Sequence, residues 1–235
     1  MHTTQNKSYD SVKRVLDILA ASVGLIVLSP VFAVVAVSVA ANLGRPVLFT
    51  QDRPGRNGRV FRLYKFRTMN GVDQARSLVT DGQRLASFGR VLRSTSLDEL
   101  PTLINVLKGD MSIVGPRPLL VQYLDRYTPL QARRHEVRPG ITGLAQVSGR
   151  NALRWEEKFA LDVKYVDTGS IATDARILWG IIAAVFRRHG ISAIGEATMG
   201  EFAGDGHTVQ SAVSETNQPQ LIRLDSSIRT RNERK

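Results

Sequence analysis

Asp98 and Glu99 stand side by side in Ser96-Leu97-Asp98-Glu99-Leu100-Pro101, and Arg117 follows between two prolines in Gly115-Pro116-Arg117-Pro118. Adjacent carboxylates can do two kinds of chemistry. They offer hard oxygen ligands to Mg²⁺, which prefers carboxylates together with substrate phosphates. An ionised aspartate can also accept a phosphoryl group as a covalent nucleophile. Prolines on both sides restrict the backbone of Arg117, and its planar fork suits a bidentate contact with phosphate. Phosphoryl transfer needs positioning and charge neutralisation above all. Carboxylate, metal and arginine are parts for that work. The plainer reading is structural: Asp98 caps a helix, Glu99 is a first-turn carboxylate favoured by the helix dipole, and Arg117 is a solvated side chain on a rigid turn.

The element that must position the pair is a helix. Ser96 and Asp98 both suit an N-cap, and Ser96 with Glu99 has capping-box spacing. With Ser96 as cap, the Pro101 ring falls past the first turn and clashes. With Asp98 as cap, Pro101 is the third helical residue, where its missing donor costs nothing. The sequence therefore predicts a helix starting after Asp98. Leu100, Leu103, Ile104 and Leu107 form its apolar face, and Gly109 ends it. A cap there also helps to keep Asp98 ionised.

Other polar residues lie at element ends. Lys65 and Arg67 follow a β-prone run in Val60-Phe61-Arg62-Leu63-Tyr64-Lys65-Phe66. Lys65 is a candidate for substrate phosphate. Val47 to Gln51 is the partner strand, and Asn57-Gly58 reads as the hairpin turn because both types tolerate positive φ. Arg133, Arg134 and Arg138 read as a surface cluster. The segment from Arg138 to Asn151 is glycine-rich and can bring backbone N–H groups close to phosphate or sugar. Trp155, Phe159, Asp162, Val163 and Val166 recur at helical spacing. Asp162 on that stripe is read first as a half-buried pairing partner and second as a site residue. Asp174 reads as the N-cap of an apolar helix from Ala175 to Phe186.

Ahead of all this, Ile18 to Ala41 is a run of 24 uncharged residues, roughly 36 Å as a helix. Ser29-Pro30 interrupts it, and proline there predicts a break. Basic residues flank both sides: Lys7, Lys13 and Arg14 before, and Arg45, Arg53, Arg56, Arg59, Arg62, Lys65 and Arg67 after. Positive flanks stay cytoplasmic. A re-entrant helix hairpin, entering and leaving by one face, satisfies both features. A straight span and a signal peptide remain the alternatives. Asp17 is expected at the membrane interface, anchoring beside Lys13 and Arg14.

The chain of 235 residues carries a net charge of +11, which favours anionic partners without choosing among lipid, nucleic acid and phosphorylated substrates. Cysteine is absent, which removes thiol catalysis and disulfides. Four scattered histidines argue against a His-rich metal site.

Taken together, several motifs resemble those of the small monotopic phosphoglycosyl transferases. This family is also called bacterial sugar transferases or polyprenyl-phosphate sugar phosphotransferases. The matching stretches are Lys65-Phe66-Arg67-Thr68-Met69, Asp98-Glu99-Leu100-Pro101, Gly109 to Pro118, Pro139-Gly140-Ile141-Thr142-Gly143, Gln146 to Asn151 and Leu161-Asp162-Val163. The resemblance covers roughly residues 13–202. It is to the minimal form without extra transmembrane helices, and among those to the PglC type, which starts glycan assembly with N-acetylated or bacillosamine-like sugars.

The resemblance implies a mainly helical α+β fold. A re-entrant membrane anchor (1–44) precedes a compact catalytic domain (45–202) with a small β-hairpin and interfacial amphipathic helices. The tail (203–235) has no family counterpart and is read from its polar composition as disordered or partner-dependent. For the rest, the resemblance implies that Asp98 attacks a UDP-sugar, with Glu99 as metal ligand or base and Mg²⁺ (or Mn²⁺) bound by both. Lys65, Arg93, Arg117 and Arg150 would hold phosphate, Asp162 would be a further site residue, and Ser29-Pro30 would be the membrane break. The implied partners are an N-acetylated hexosamine UDP-sugar, polyprenyl (undecaprenyl) phosphate, anionic lipids and a second copy of the chain, with no nucleic acid. The implied place is the cytoplasmic face of a bacterial inner membrane. Two rival readings are a membrane-tethered binding module for anionic lipid or nucleic acid, and a direct transferase in which Asp98 only binds metal.

Overall fold

The computed structural model describes residues 7–71, 74, 77, 79–149, 153–187 and 202–204. The chain divides into two units, Met1–Phe202 and Ala203–Lys235. The expected disordered tail lies outside the described residues apart from Ala203 and Gly204, and Arg150 and Asn151 lie outside them as well.

Two helices open the first unit, α1 (Lys7–Val27) and α2 (Ser29–Leu43). A hairpin follows, β1 (Leu48–Pro54) and β2 (Val60–Phe66), then α3 (Asp81–Arg84), α4 (Ser87–Ser94) and α5 (Thr102–Lys108). After β3 (Ser112–Val114) come α6 (Pro129–Ala132), β4 (Gly140–Thr142), α7 (Leu144–Ser148), α8 (Trp155–Thr168) and α9 (Ile171–Arg187). Among the described residues the unit is mainly helical, with two small two-stranded sheets.

α1 and α2 are bent by 64° across Leu28. Pro30 sits in the first turn of α2, where no N–H is needed. Ser29 Oγ donates to the Ile26 carbonyl at 2.8 Å, satisfying an acceptor near the break. No single helix among the described residues is long and apolar enough to cross a membrane, but the bent pair has that length and composition together. One side of the pair is bare, with Ile26 74% and Val37 69% exposed. The other side packs down. Ala21 lies against Leu63, Val106 and Met111, and Val35 and Val39 lie against Phe66 and Leu92.

The polar end of α1 departs from expectation. Lys13, Arg14 and Asp17 turn into the domain instead of anchoring at an interface. Arg14 donates to the carbonyls of Val106 (2.5 Å) and Leu107 (2.8 Å). These belong to the last turn of α5, where carbonyls lack intrahelical donors and an arginine fork can supply two. Asp17 is buried and accepts from the Ile113 N–H at 3.0 Å. Lys13 pairs with Asp174 at 2.6 Å.

β1 and β2 pair antiparallel, with Leu48 opposite Phe66 and Pro54 opposite Val60. β1 runs past the expected Gln51, so residues 55–59 make the tip and not a two-residue turn. Asn57 and Gly58 still take the positive φ expected of them, 57° and 73°. The second sheet was not anticipated: β3 and β4 pair in parallel, Ser112 opposite Gly140 and Val114 opposite Thr142. Strands of three residues are too short to show a period. A Cβ on Gly140 would lie 2.1 Å from the Gly115 nitrogen, so the glycines of these motifs serve close backbone approach here.

α8 follows its predicted spacing and buries Phe159, Asp162, Val163 and Val166. α9 starts earlier than predicted. Ser170 Oγ accepts from the Thr173 N–H at 3.1 Å, so Ser170 and not Asp174 takes the cap role, while Asp174 is drawn inward by Lys13 and Tyr165.

Gly89 lets α4 lie against the backbone of Thr68, since a Cβ there would sit 1.9 Å from the Thr68 carbonyl oxygen, whereas Gly82 in α3 faces open space. Gly89→Ala is expected to destabilise the protein by about 1–3 kcal/mol, and Gly82→Ala to change stability by no more than about 0.5 kcal/mol. Thermal unfolding of the purified protein reads both.

Candidate active site

The carboxylate pair is not placed by a helix start. Ser96 adopts the left-handed conformation (φ 57°, ψ 16°), and Leu97–Glu99 forms one 3-10 turn. α5 begins only at Thr102, with Pro101 in the cap place and no side-chain cap. The expected Asp98 cap, with Pro101 as third helical residue, is therefore not formed. The turn at Ser96 redirects the chain first, and it closes through the Leu100 N–H to the Leu97 carbonyl at 3.3 Å. Thr102 Oγ1 then takes up the Glu99 carbonyl. Leu97 and Leu100 pack with Val35, Val39, Phe66 and Leu92, which fastens the turn beside α2.

Glu99 is the centre of the arrangement. Its Oε1 accepts from Lys65 Nζ at 2.6 Å and from the Arg117 guanidinium at 2.7 Å. Burial alone raises a carboxyl pKa, but Arg117 and Lys65 outweigh it and hold Glu99 down to about 2. Lys65 is pushed below the ordinary lysine value by burial and by repulsion from Arg117, with Glu99 pulling back. Arg117 is raised by Glu99 and keeps 45% of its side chain exposed.

Asp98 contrasts with its neighbour. It is only 7% exposed, and its carboxylate has no hydrogen-bond partner among the described residues. Burial and the adjacent Glu99 raise its pKa above the ordinary aspartate value; Lys65, Arg117 and Arg93 act against them. Electrostatic help thus comes from side-chain cations and not from a helix terminus. Arg93, from α4, donates from Nε to Thr68 Oγ1 at 3.1 Å and belongs to this set. The structure therefore brings Asp98, Glu99, Lys65, Arg93 and Arg117 together. Arg67 goes elsewhere: it donates to the carbonyls of Leu43 and Gly44 and closes the end of α2.

Asp162 and Arg134 lie behind the proline loop. Both are buried, and Arg134 donates to Asp162 Oδ2 from Nε at 3.0 Å and from its terminal nitrogen at 2.7 Å. The same terminal nitrogen donates to the Arg117 carbonyl at 2.7 Å, and the other bonds the Tyr127 hydroxyl at 3.1 Å. Burial raises the Asp162 pKa and Arg134 opposes it. Asp162 is a pairing partner that orders Arg134, which in turn holds the backbone of Arg117. The expected surface cluster is corrected here. Arg134 is inside, with the rings of Tyr127 and Phe159 against its guanidinium at 5.7 and 5.6 Å. Arg138 pairs with Asp10, and Arg133 with Asp167.

Sequence reasoning passed over Arg53, which donates to the Pro118 carbonyl at 3.3 Å beside Arg117. Its charge looked like one of many on a solvated face. The signal that could have found it is strand alternation, which puts Arg53 and Lys65 on one face of the hairpin.

No group of three or more His, Cys, Asp or Glu gathers among the described residues. Two adjacent carboxylates, one without a partner, match a Mg²⁺ ion that completes its shell with substrate oxygens and water; they do not match an all-protein cage. Asp98 and Glu99 fit that donor set.

Glu99 has its pKa lowered on folding, so its stabilising contribution is present above the ordinary glutamate value and is lost as pH falls towards about 2. A displacement of that size corresponds to about 3 kcal/mol. Glu99→Gln is expected to cost about that much at pH 7, and the difference from wild type should shrink steadily in unfolding titrations carried out below pH 4.5, the unshifted value.

With the geometry in place, comparison with known proteins adds a family. The family model described as bacterial sugar transferase matches residues 8–188. A relative from Bacillus subtilis (strain 168), named uncharacterized sugar transferase EpsL, is 49% identical over 196 residues, covering 83% of this chain and 97% of its own. A UDP-glucose:undecaprenyl-phosphate glucose-1-phosphate transferase from Caulobacter vibrioides is 39% identical over 181 residues, covering 72% of this chain and 67% of its own. A UDP-N-acetylgalactosamine-undecaprenyl-phosphate N-acetylgalactosaminephosphotransferase from Aeromonas hydrophila is 38% identical over 191 residues, covering 77% of this chain but 45% of its own. The chain belongs to the bacterial sugar transferase family.

Proposed function

We propose that this protein transfers a sugar-1-phosphate from a UDP-sugar to polyprenyl phosphate, in the undecaprenyl form, through a phosphosugar held covalently on Asp98. The observation that carries the reading is the contrast within the pair. Asp98 lies among cations yet, among the described residues, has no hydrogen-bond donor on its carboxylate, while Glu99 absorbs Lys65 and Arg117 directly. A nucleophile needs an unencumbered lone pair; a neighbouring fixed anion keeps the cations in place. The names of the relatives, which state UDP-sugars and undecaprenyl phosphate, support the substrate classes. Glucose and N-acetylgalactosamine both occur in those names, so the expected N-acetylated hexosamine is one donor to test among several.

In the first half-reaction an Asp98 oxygen forms a bond to the sugar-bearing phosphorus, the bond from that phosphorus to UMP breaks, and UMP leaves with the electron pair. In the second, an oxygen of polyprenyl phosphate bonds to the same phosphorus and Asp98 leaves as carboxylate. The product is polyprenyl-diphosphate-sugar, the starting lipid of a glycan. Arg117 and Lys65 stabilise the charge on the transferred group. Mg²⁺ held by Asp98 and Glu99 would neutralise the diphosphate. α1 and α2 form a re-entrant hairpin, so the site faces the cytoplasmic side of the bacterial inner membrane. Arg45, exposed just past the end of α2, would meet anionic headgroups.

Incubation with UDP-sugar followed by denaturation and mass spectrometry should show a phosphosugar adduct on Asp98. Labelled UMP should exchange into UDP-sugar with no lipid present. A direct transferase predicts no exchange, and a binding module predicts neither result. The rate of the first half-reaction should fall as pH is lowered through the raised pKa of Asp98, above the ordinary aspartate range. Asp98→Asn should abolish adduct and exchange. A buried acid with a raised pKa costs stability when it ionises, so at neutral pH this variant should unfold at or above the wild-type temperature, with the gap closing at acidic pH.

The hairpin has its own test. Cysteines placed as Ser8→Cys and Asn57→Cys should react with an impermeant reagent from the same side of sealed vesicles; reaction from opposite sides rules the hairpin out.

A further inference from the structure

We propose that Arg53 forms an anion subsite for the phosphate that departs with UMP; this rests on the donor reading above. Arg53 stands opposite Phe61, and Lys65 opposite Phe49, in the β1–β2 ladder. Alternate residues share a face, so Arg53, Gln51 and Lys65 lie on one side of the hairpin. Lys65 is at the end that continues into the anchor, where Phe66 packs on Val35 and Val39. Arg53 is at the tip end. Arg117 acts as a like charge on both.

Two donors of Arg53 are occupied, one by the Pro118 carbonyl at 3.3 Å and one by Gln51 Oε1 at 2.6 Å. Its Nε is buried without a partner. Among the described residues no carboxylate pairs with it. Burial and Arg117 lower its pKa to about 10. A half-buried, unpaired cation beside another cation is costly unless an anion joins them. Lys65 and Arg117 meet Glu99, and these two with Arg93 act on Asp98, whereas no carboxylate acts on Arg53 among the described residues, so a phosphate would supply its counter-charge.

Position decides which phosphate. Arg93 is on α4, whose Phe88 and Leu92 pack against Val35 and Val39 of α2. A lipid-borne phosphate therefore approaches along the Arg93 side. The tip side, with Arg53, is left for the water-soluble nucleotide. Attack and departure lie roughly in line through phosphorus, so the leaving UMP phosphate sits on the side of that phosphorus opposite Asp98, and the lipid oxygen enters there once UMP has gone.

Calorimetric titration with UMP and with uridine tests this on the full-length protein. Losing a charge-assisted contact corresponds to about 10- to 100-fold in affinity, so Arg53→Gln should weaken UMP binding by that factor and leave uridine binding unchanged. Arg53→Lys keeps the charge without the fork and should fall between wild type and Arg53→Gln; it also serves if Arg53→Gln fails to fold. UMP affinity of Arg53→Gln within about twofold of wild type overturns the subsite (against the tenfold loss expected from the contact); where that variant does not fold, Arg53→Lys binding UMP no more weakly than wild type does the same. So does an equal loss for uridine, which signals a structural effect. The adduct measurement on wild type reads the covalent mechanism separately. An adduct with unaltered UMP binding removes only the subsite; Arg53-dependent UMP binding without an adduct removes only the covalent reading.

Discussion

One carboxylate oxygen ties three distant parts of the chain together. Glu99 Oε1 takes Lys65 from β2 and Arg117 from the proline loop, at 2.6 and 2.7 Å, while its own residue sits in the turn before α5. Buried ion pairs compensate their desolvation only when geometry is good and hydrogen bonds are made. Here both cations donate directly to the same atom. The consequence falls on Asp98. With the cations committed to Glu99, Asp98 feels their field without their hydrogen bonds. Two neighbouring carboxylates are thereby shifted in opposite directions, Glu99 down and Asp98 up.

The node depends on supports further out. Arg134 holds the Arg117 carbonyl, Asp162 holds Arg134, and the rings of Tyr127 and Phe159 enclose the guanidinium. On the other side, Arg14 and Asp17 of α1 bind the end of α5 and the start of β3. α2 packs on the residues that flank the turn. The apolar hairpin is therefore built into the catalytic unit and is not a tether. A change in its angle would move α5 and the turn that carries the pair.

The sequence disclosed which residues gather better than how they are held. Asp98, Glu99, Lys65 and Arg117 could be named because acidic neighbours, a strand-end lysine and a proline-braced arginine are unusual as residue types in context. The bend at Leu28 was legible because proline has one strong local effect. The cap at Asp98 was misread because propensity ranks Ser, Asp and Pro for one helix and does not foresee Ser96 in the left-handed region making a separate turn. Arg134, Asp17 and Lys13 were placed outside for a related reason. A charge on a stripe shows its sign but not its partner, and the partners (Asp162, the Ile113 N–H and Asp174) lie 28, 96 and 161 positions away. β3 and β4 were invisible because their pairing is set by glycines at close approach and not by a hydrophobic period.

The burial of an unbonded aspartate has a physical logic. Hydrogen bonds to Asp98 would lower its pKa and stabilise the fold, but under the proposed covalent mechanism they would also have to be broken before its oxygen reached phosphorus. Leaving it bare keeps the lone pairs available and concentrates the cost in ground-state stability. That cost is tolerable because Glu99, one residue away, offsets it with two direct ion pairs in the same small volume. Exchanging the two side chains would not preserve the arrangement: the shorter aspartate at position 99 would not reach as far towards Lys65 and Arg117, and the longer glutamate at 98 would be drawn towards them. Order within the pair is therefore part of the proposed mechanism, set by side-chain length against the positions of β2 and the proline loop.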